Sequence, residues 1–279
     1  MRHFFIYIMM VVFFAGCDGR GNDLPCESLS GPTPCAWAIE ETSYQNFPRP
    51  ADSYNFTNCP GTEEWDVMVD HKPFYQIPDC VLKKMSTHAV IQAVCEYYNN
   101  LYIMNTPSGA IGDEDLFEAG SYTTNVMNAY TELFKRKDAG KAFLERLRLM
   151  EPVTFYQSQW FEYLFGHRIF LSKLNNNQKR EVVEICLRND AIRVKDGRLI
   201  YRGLTFVLIS RTMLAAKYAP FMNVFNDNEE LQFFVNGSRM WDEEEALIYD
   251  SPKRYRVYDL VSDENIYLLL FELSKNYVK

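Results

Sequence analysis

Histidines are the residues of this chain best suited to metal binding or acid–base chemistry. Beyond position 16 they are His71, His88 and His167, and no two of them have the three- or four-residue spacing that puts two imidazoles on one helical face. We therefore predict structural or solvated histidines, no metal site and no cofactor. Glycine-rich phosphate loops, Gly-x-Gly-x-x-Gly and Gly-x-Ser-x-Gly are absent as well, so nucleotide, dinucleotide and serine-hydrolase interpretations have no motif.

Two acidic clusters, at 113–115 and 242–245, are the other candidates for chemistry. Paired carboxylates hydrolyse glycosidic bonds when a cleft holds them roughly 5–10 Å apart. Both clusters lie where a helix is predicted to begin, however, and the helix dipole stabilises acids in a first turn. We expect helix-end charges here, and a glycan-binding or glycan-active enzyme that uses distant carboxylates is the alternative function.

The first 17 residues have the pattern of an export signal. Arg2 supplies a positive charge, residues 4–14 contain no strongly polar side chain, and Ala15 and Gly16 place small residues before Cys17. The apolar run is too short for a permanent membrane span, which needs about 20 residues. We predict that residues 1–16 are a signal peptide that is cleaved off.

The four residues Phe14-Ala15-Gly16-Cys17 resemble the lipobox of bacterial lipoproteins, with Phe14 where Leu is usual. The resemblance implies that Cys17 is the lipid attachment site and the first residue of the mature protein. Each buried methylene of an acyl chain contributes about 0.8 kcal/mol, so two or three chains anchor a protein stably. We expect an outer-membrane lipoprotein of the cell envelope, on the periplasmic face or at the cell surface. An ordinary secretory signal with an incidental cysteine is the alternative.

The remaining cysteines differ in their surroundings. Export to an oxidising compartment permits disulfides. A disulfide would be most useful in the polar, Pro-rich sequence, where it would order a segment that otherwise lacks structure. The cysteines in this sequence are Cys26, Cys35 and Cys59, and a Cys26–Cys35 bridge is one candidate pairing. Three further cysteines lie on apolar helix faces and are predicted to be buried free thiols: Cys80, Cys95 and Cys186. No Cys-x-x-Cys pair exists to support a zinc ribbon or a thioredoxin-type redox site.

The composition is that of an acidic, folded protein. Apolar residues make up 47% of the chain and include 20 Phe and 18 Tyr, which is ample for a core and excludes disorder of the main body. The net charge is −8, and it becomes −9 if residues 1–16 leave with Arg2. Binding to nucleic acid rests on clustered basic side chains, so we expect no nucleic-acid partner.

The elements that must position any site begin after residue 63. Residues 17–63 are dense in Gly, Pro, Ser and Asn, which predicts a flexible, lipid-anchored tether. About 45 flexible residues have a root-mean-square reach of roughly 35–40 Å. Residues 64–279 have helical periodicity and are predicted to form one helical globular domain. The expected fold class is all-α, as an irregular multi-helix bundle or a short helical-repeat-like array.

Apolar stripes and end signals place the individual helices. Ser86 can cap a helix whose inner face carries Ile91, Val94 and Cys95. The segment 203–218 is apolar nearly all round yet carries charges, which predicts a central packed helix rather than a second membrane span. Further helices are predicted near 79–84, 139–150, 155–165, 178–189, 221–235, 243–249 and 263–276.

One segment, 192–201, favours an extended conformation. Asp196-Gly197 stands between alternating residues, so a two-residue turn would pair Val194 with Leu199 in a small β-hairpin. Lys195 would then face Arg198, which disfavours the pairing because like charges repel. A loop between helices is the alternative.

Aromatic residues crowd the stretches 155–165 and 233–241. Solvent-exposed aromatic rings could stack on sugars or anchor a protein partner. Helical spacing, however, makes most of these residues core residues.

Two stretches, 74–87 and 135–141, resemble a group of uncharacterised helical lipoproteins of Bacteroidetes. The resemblance covers a small part of the chain, implies an all-helical envelope protein and supplies no catalytic residue. With the lipobox and the missing catalytic motifs, it leads us to expect a binding or scaffolding module rather than an enzyme. Its expected partners are the membrane, through the lipid, and an envelope protein or glycan.

Overall fold

The computed structural model describes residues 29–36, 42–59, 62–68, 72–96, 127–151, 156–197, 202–235 and 264–279. All regular secondary structure in these ranges is helical, which confirms the predicted all-α class. Two 3-10 helices, Ser43–Gln45 and Lys72–Tyr75, accompany twelve α-helices. The α-helices are α1 (Glu63–Val67), α2 (Asp79–Leu82), α3 (Thr87–Cys95), α4 (Asn128–Lys135), α5 (Ala139–Leu149), α6 (Tyr156–Phe165), α7 (Arg168–Ser172), α8 (Asn176–Lys195), α9 (Gly203–Ala215), α10 (Ala219–Asn226), α11 (Glu229–Val235) and α12 (Glu264–Tyr277).

None of the helices in these ranges is long and apolar enough to cross a bilayer. The predicted signal peptide, 1–16, and the predicted helix at 243–249 lie outside the described residues.

Polar side chains fix where several helices begin. The Ser86 hydroxyl accepts a hydrogen bond from the backbone N–H of Ala89, so it caps α3 as predicted. Asn175 and Gln178 form a reciprocal capping box at the start of α8. Asn228 accepts from the N–H of Leu231 and opens a new helix, so the predicted single helix 221–235 is in fact two, α10 and α11.

Helix α9 is the centre of the second half of the structure. It contacts α6, α7, α8, α10, α11 and α12, and every residue from Leu204 to Met213 is buried. The hydroxyls of Ser210 and Thr212 donate to carbonyls four residues earlier, which satisfies them without solvent. The predicted central helix is confirmed, and it ends at Ala215.

Helix α5 joins this half to the N-terminal half, since it contacts α3, α7 and α8. Gly140 lies where α5 meets α7, and a Cβ there would overlap the carbonyl oxygen of Phe170. The two helices can approach this closely because the residue has no side chain. Phe143 fills the adjoining space and stacks on Phe165 with 5.2 Å between ring centroids.

Long cationic side chains cap the ends of neighbouring helices. Lys173 donates to the carbonyl of Phe134, in the last turn of α4, at 2.8 Å, and to the carbonyl of Arg136, directly after α4, at 2.7 Å. Lys179 donates to the carbonyl of Ala215 at the end of α9. A cation at a helix C-terminus satisfies orphan carbonyls and interacts favourably with the helix dipole. Contacts between helices and helix capping are thus made by the same side chains.

The β-hairpin predicted at 192–201 is wrong over its first strand. Residues 192–195 continue α8 to its end, and Asp196 is the C-cap. Gly197 follows with φ of +71°, the left-handed conformation in which glycine ends a helix. The Asp-Gly pair is therefore a helix C-terminus and not a hairpin turn. Residues 198–201 lie outside the described residues.

Candidate functional site

The segment expected to be a flexible tether is folded where the structure describes it. Residues 42–59, here called the strap, lie against α3 and α5, and Tyr54 and Phe56 within it are buried. The Tyr54 hydroxyl donates to the carbonyl of Leu29, and Gly31 donates from its N–H to the carbonyl of Asn55 at 2.8 Å. The tether prediction for residues 17–63 is therefore wrong over the strap.

A disulfide closes this part of the chain, and it is not the one predicted. Cys35 is bonded to Cys59, with a Cα–Cα distance of 6.6 Å, so the Cys26–Cys35 pairing is wrong. The physical reason is that residues 29–36 run beside the strap, where hydrogen bonds between Gly31 and Asn55 bring the two cysteines together. Proximity in sequence favours the Cys26–Cys35 pair, whereas the fold of the strap brings Cys35 next to Cys59.

The other cysteines divide differently from the prediction. Cys95 and Cys186 are free and buried, as expected. Cys80 is exposed and disulfide-bonded, so the prediction of a buried free thiol is wrong for it. Burial raises the pKa of Cys186 well above its ordinary value, and the negative charge of Glu162 adds to this effect. The thiol therefore stays protonated and is a poor nucleophile.

Arg146 fastens the strap to the helical body. Its guanidinium is completely buried and donates to the side-chain carbonyls of Gln45 and Gln92, at 2.5 and 2.8 Å, and to the main-chain carbonyl of His88. The ring of Phe47 covers the guanidinium at 4.3 Å. One side chain of α5 thus holds the strap and α3 in a single water-excluded cluster.

A second fastening lies at the end of α3. Arg49 of the strap forms a two-bond pair with the buried carboxylate of Glu96, and it also donates to the carbonyl of Tyr54. Gln92 donates both to Glu96 and to the hydroxyl of Thr42. Because Gln92 also accepts from the Arg146 guanidinium, the two fastenings form one continuous network.

The strap is also tied at its middle and beside His88. Asp52 accepts from both the N–H and the hydroxyl of Ser86, the residue that caps α3. The His88 ring stacks on Phe47, and its Nε2 lies 2.9 Å from a carboxylate oxygen of Glu145. These contacts give His88 a structural role.

A second buried charged cluster joins α6, α8 and α9. Glu162 and Arg193 pair with Nη2–Oε1 of 3.0 Å, and their side chains are 0% and 1% exposed. The hydroxyl of Thr205 donates to Glu162 at 2.6 Å and is also hydrogen-bonded to Arg193. Burial by itself would lower the pKa of Arg193, but the surrounding negative charges, chiefly Glu162, together raise this pKa above its ordinary value.

Another arginine pair lies beside this cluster. Asp190 accepts two hydrogen bonds from Arg202, at 2.6 and 2.9 Å, and the guanidinium lies 3.7 Å from the ring centroid of Tyr267. Both carboxylates of this region, Glu162 and Asp190, are therefore engaged by arginines inside the helical body. In this arrangement they neutralise charge and orient helices.

His167 is a buried helix cap. Its Nδ1 accepts from the N–H of Ile169 at the start of α7. Burial lowers the pKa of His167 from 6.5 to about 3, and the positive charge of Arg211 adds to the shift. An imidazole that accepts a backbone hydrogen bond and is out of solvent stays neutral and serves structure.

The structure leaves the other predicted site residues unplaced. The lipid attachment residue Cys17, the cysteine Cys26, His71 and both acidic clusters lie outside the described residues. In the aromatic stretches, the described side chains are core residues: Phe161, Tyr163, Phe165 and Phe234. Within the described ranges, no group of three or more His, Cys, Asp or Glu side chains could hold a metal ion.

Sequence reasoning missed the two arginines that carry these clusters. Arg146 follows Phe143 by three residues and precedes Leu147 directly, so it lies within an apolar stripe. Arg193 continues the inner stripe of α8 seven residues after Cys186. A charged residue in register with an apolar stripe is the signal that predicts a buried, paired charge.

No family model matches this chain, and neither a curated protein nor a solved structure matches it. No residue's role can be transferred from a relative. The candidate functional site is the strap with its fastenings, because it links the predicted anchor at Cys17 to the helical body.

Proposed function

We propose that this chain is an exported lipoprotein, held on the cell envelope by lipid on Cys17, whose helical body is a binding or scaffolding module. The observation that carries the proposal is the lipobox-like sequence Phe14-Ala15-Gly16-Cys17 at the end of the apolar run. The partners that we propose are the membrane, through the lipid, and an envelope protein or glycan. The proposed location is the outer membrane.

The Cys35–Cys59 disulfide supports export. Disulfides persist in oxidising compartments outside the cytosol and are reduced inside it. This bond lies between the predicted anchor and the helical body, where it closes the segment that the anchor would pull on. A covalently closed strap that packs against the helices suits a body that must stay folded while it is tethered.

The state of the buried carboxylates favours a binding module over the glycan-active alternative. A glycosidase needs two carboxyl groups that reach the scissile bond from a cleft. Glu162 and Asp190 are instead bound by Arg193 and Arg202 within the helical body. Through these ion pairs the two carboxylates hold α6, α8 and α9 together.

Lipidation is tested by replacing the attachment residue. Cys17→Ala protein should lose metabolic labelling with an alkyne analogue of palmitate and should move from the membrane to the soluble fraction. Cys26→Ala is the matched control, because it removes a cysteine nine residues away and should keep both the label and the membrane location. Undiminished labelling of Cys17→Ala protein would refute the proposal.

A further inference from the structure

Alternate residues of the strap lie against the helices beneath it. Gln45 is buried, and Phe47 and Arg49 are half-buried. Asn46 and Pro48, which lie between them, are exposed. This alternation is typical of an extended peptide in a groove, where every second side chain contacts the groove. The strap thus lies on α3 and α5 in the manner of a bound peptide.

The three inward side chains meet groups of different chemistry. The side-chain carbonyl of Gln45 accepts from the Arg146 guanidinium at 2.5 Å. The Phe47 ring lies against that guanidinium and stacks on the His88 ring, with 4.7 Å between the ring centroids. Arg49 donates to the buried carboxylate at the end of α3 at 2.8 Å. The surface formed by α3 and α5 therefore accommodates an amide, an aromatic ring and a guanidinium at alternate positions of one chain.

Residues 42–52 of the strap, here called the arm, are held largely by polar contacts. In addition to the contacts above, the side chains of Thr42, Asn46 and Asp52 hydrogen-bond to residues on or beside α3 and α5. Lifting the arm would admit water, which can hydrogen-bond to these polar groups. Segments with few buried apolar contacts open locally at a small cost in free energy. The arm is therefore suited to leave the groove and return.

The apolar attachment of the strap lies beyond the arm. Tyr54 and Phe56 are buried and meet edge to face, with 5.1 Å between the ring centroids. The Tyr54 hydroxyl donates to the carbonyl of Leu29, and Cys59 is bonded to Cys35. These contacts do not involve the arm, so the arm can lift while its C-terminal end stays fixed beside the groove.

We propose that α3 and α5 form a peptide-binding groove that the arm fills as an internal ligand. The ligand that replaces the arm is an extended segment of the protein partner, with an amide, an aromatic ring and a guanidinium at alternate positions. This inference deepens the binding module proposed above and rests on it. Because the arm is tethered beside the groove, its effective concentration there is high, and a competing segment must match the same three groups to displace it.

Binding of the arm's own sequence, added as a separate peptide, tests the groove. The probe is a fluorescein-labelled peptide of residues 43–50, Ser-Tyr-Gln-Asn-Phe-Pro-Arg-Pro, and fluorescence anisotropy measures its binding to full-length protein in detergent. Arg49→Glu protein places a carboxylate against Glu96, which repels the arm and frees the groove. We expect this variant to bind the peptide at least about tenfold more tightly than the wild type, whose own arm competes.

Two controls separate the groove from general charge effects. Arg148→Glu protein carries the same replacement on α5, but Arg148 pairs with Glu181 on α8, so this variant should bind the peptide as weakly as the wild type. Peptides with Phe47→Ala or Arg49→Glu should lose about tenfold or more in affinity. If circular dichroism shows that Arg49→Glu protein does not fold, Cys35→Ser/Cys59→Ser protein, whose arm is no longer in a closed loop, takes its place with the same expectation.

Three results would overturn the inference. The first is binding to the variant with a freed arm that is no tighter than binding to the wild type, and the second is equal binding of the altered peptides. The third is a wild-type dimer that the peptide dissociates, seen by light scattering, which would assign the groove to the strap of a second copy. None of these bears on lipidation, which is measured at Cys17. Tight, sequence-dependent binding by protein without lipid would support the groove while the lipoprotein proposal fails.

Discussion

Arg146 and Arg148 lie two positions apart on α5 and carry the same charge, yet they differ in burial and in the residues that they contact. Arg146 is fully buried and binds the strap and α3. Arg148 is 44% exposed and pairs with Glu181 on α8 across the surface. The hydrogen bonds that Arg148 donates to Glu181 raise the pKa of Arg148, and they lower the pKa of Glu181. Such a surface pair is screened by solvent.

The two arginines should therefore differ in their contribution to stability. Arg146→Ala strands the buried acceptors of Gln45 and Gln92, and we expect it to lower the free energy of unfolding by about 2–4 kcal/mol. Arg148→Ala on the same helix is the control and should cost under about 1 kcal/mol. Urea unfolding followed by circular dichroism measures both, and equal losses would show that the strap cluster is not a stabilising unit.

The Glu162–Arg193 pair allows a test of a buried charge. Glu162→Gln leaves the Arg193 charge buried without its partner and should cost about 3–5 kcal/mol, whereas a double replacement of both residues by methionine should recover most of that loss. The comparison is made by urea unfolding of the single and double variants. A double variant as unstable as the single one would mean that the pair does more than neutralise charge.

At the scale of helices, α7 depends on a neutral imidazole at its N-terminus. Because the pKa of His167 is lowered to about 3 in the folded protein, the unfolded chain binds this proton first as pH falls below about 6.5. The folded protein therefore loses stability between pH 6.5 and 3, by at most about 1.4 kcal/mol per pH unit from this residue.

The variant His167→Asn keeps a helix-capping acceptor and removes the titrating group. Between pH 6.5 and 4, its unfolding free energy should fall less steeply with decreasing pH than that of the wild type. Urea unfolding at several pH values measures the two slopes. Parallel slopes would show that His167 titrates normally in the folded protein.

The contact between α5 and α7 has its own test. Gly140→Ala should improve the intrinsic helix propensity of α5 by about 1 kcal/mol, yet the added Cβ would overlap the Phe170 carbonyl oxygen. Overpacking of this kind costs about 1–3 kcal/mol, so we expect a net loss of stability and a lower Tm. A raised Tm would mean that the two helices can separate without cost.

Signals within one helix were predictable, and pairings between distant segments were not. The Ser86 cap and the central, apolar helix α9 follow from local sequence, and the structure has both. The division of 221–235 was missed because the Asn228 cap competes with an otherwise continuous helical pattern. The hairpin was wrong because Asp-Gly suits a hairpin turn and a helix C-terminus alike.

At the scale of the whole molecule, the strap shows why composition alone wrongly predicts a flexible tether. Its Pro, Ser and Asn content is typical of a flexible linker. Arg49 nevertheless pairs with Glu96, 47 residues away, and Gln45 bonds to Arg146, 101 residues away. Such pairings depend on the packed positions of α3 and α5, which local sequence does not contain. The Cys35–Cys59 bond could not be predicted for the same reason, because it too depends on the fold of distant segments.

The membrane anchor is the claim on which the rest of the proposed function depends. Mass spectrometry of the N-terminal peptide, from protein purified out of the membranes of its natural host, tests it most directly. A peptide that begins at Cys17 and carries the mass of a glyceryl thioether with two or three acyl chains is expected. A polypeptide that begins at Met1 without modification, recovered from the soluble fraction, would contradict the anchor, the export and the proposed location together.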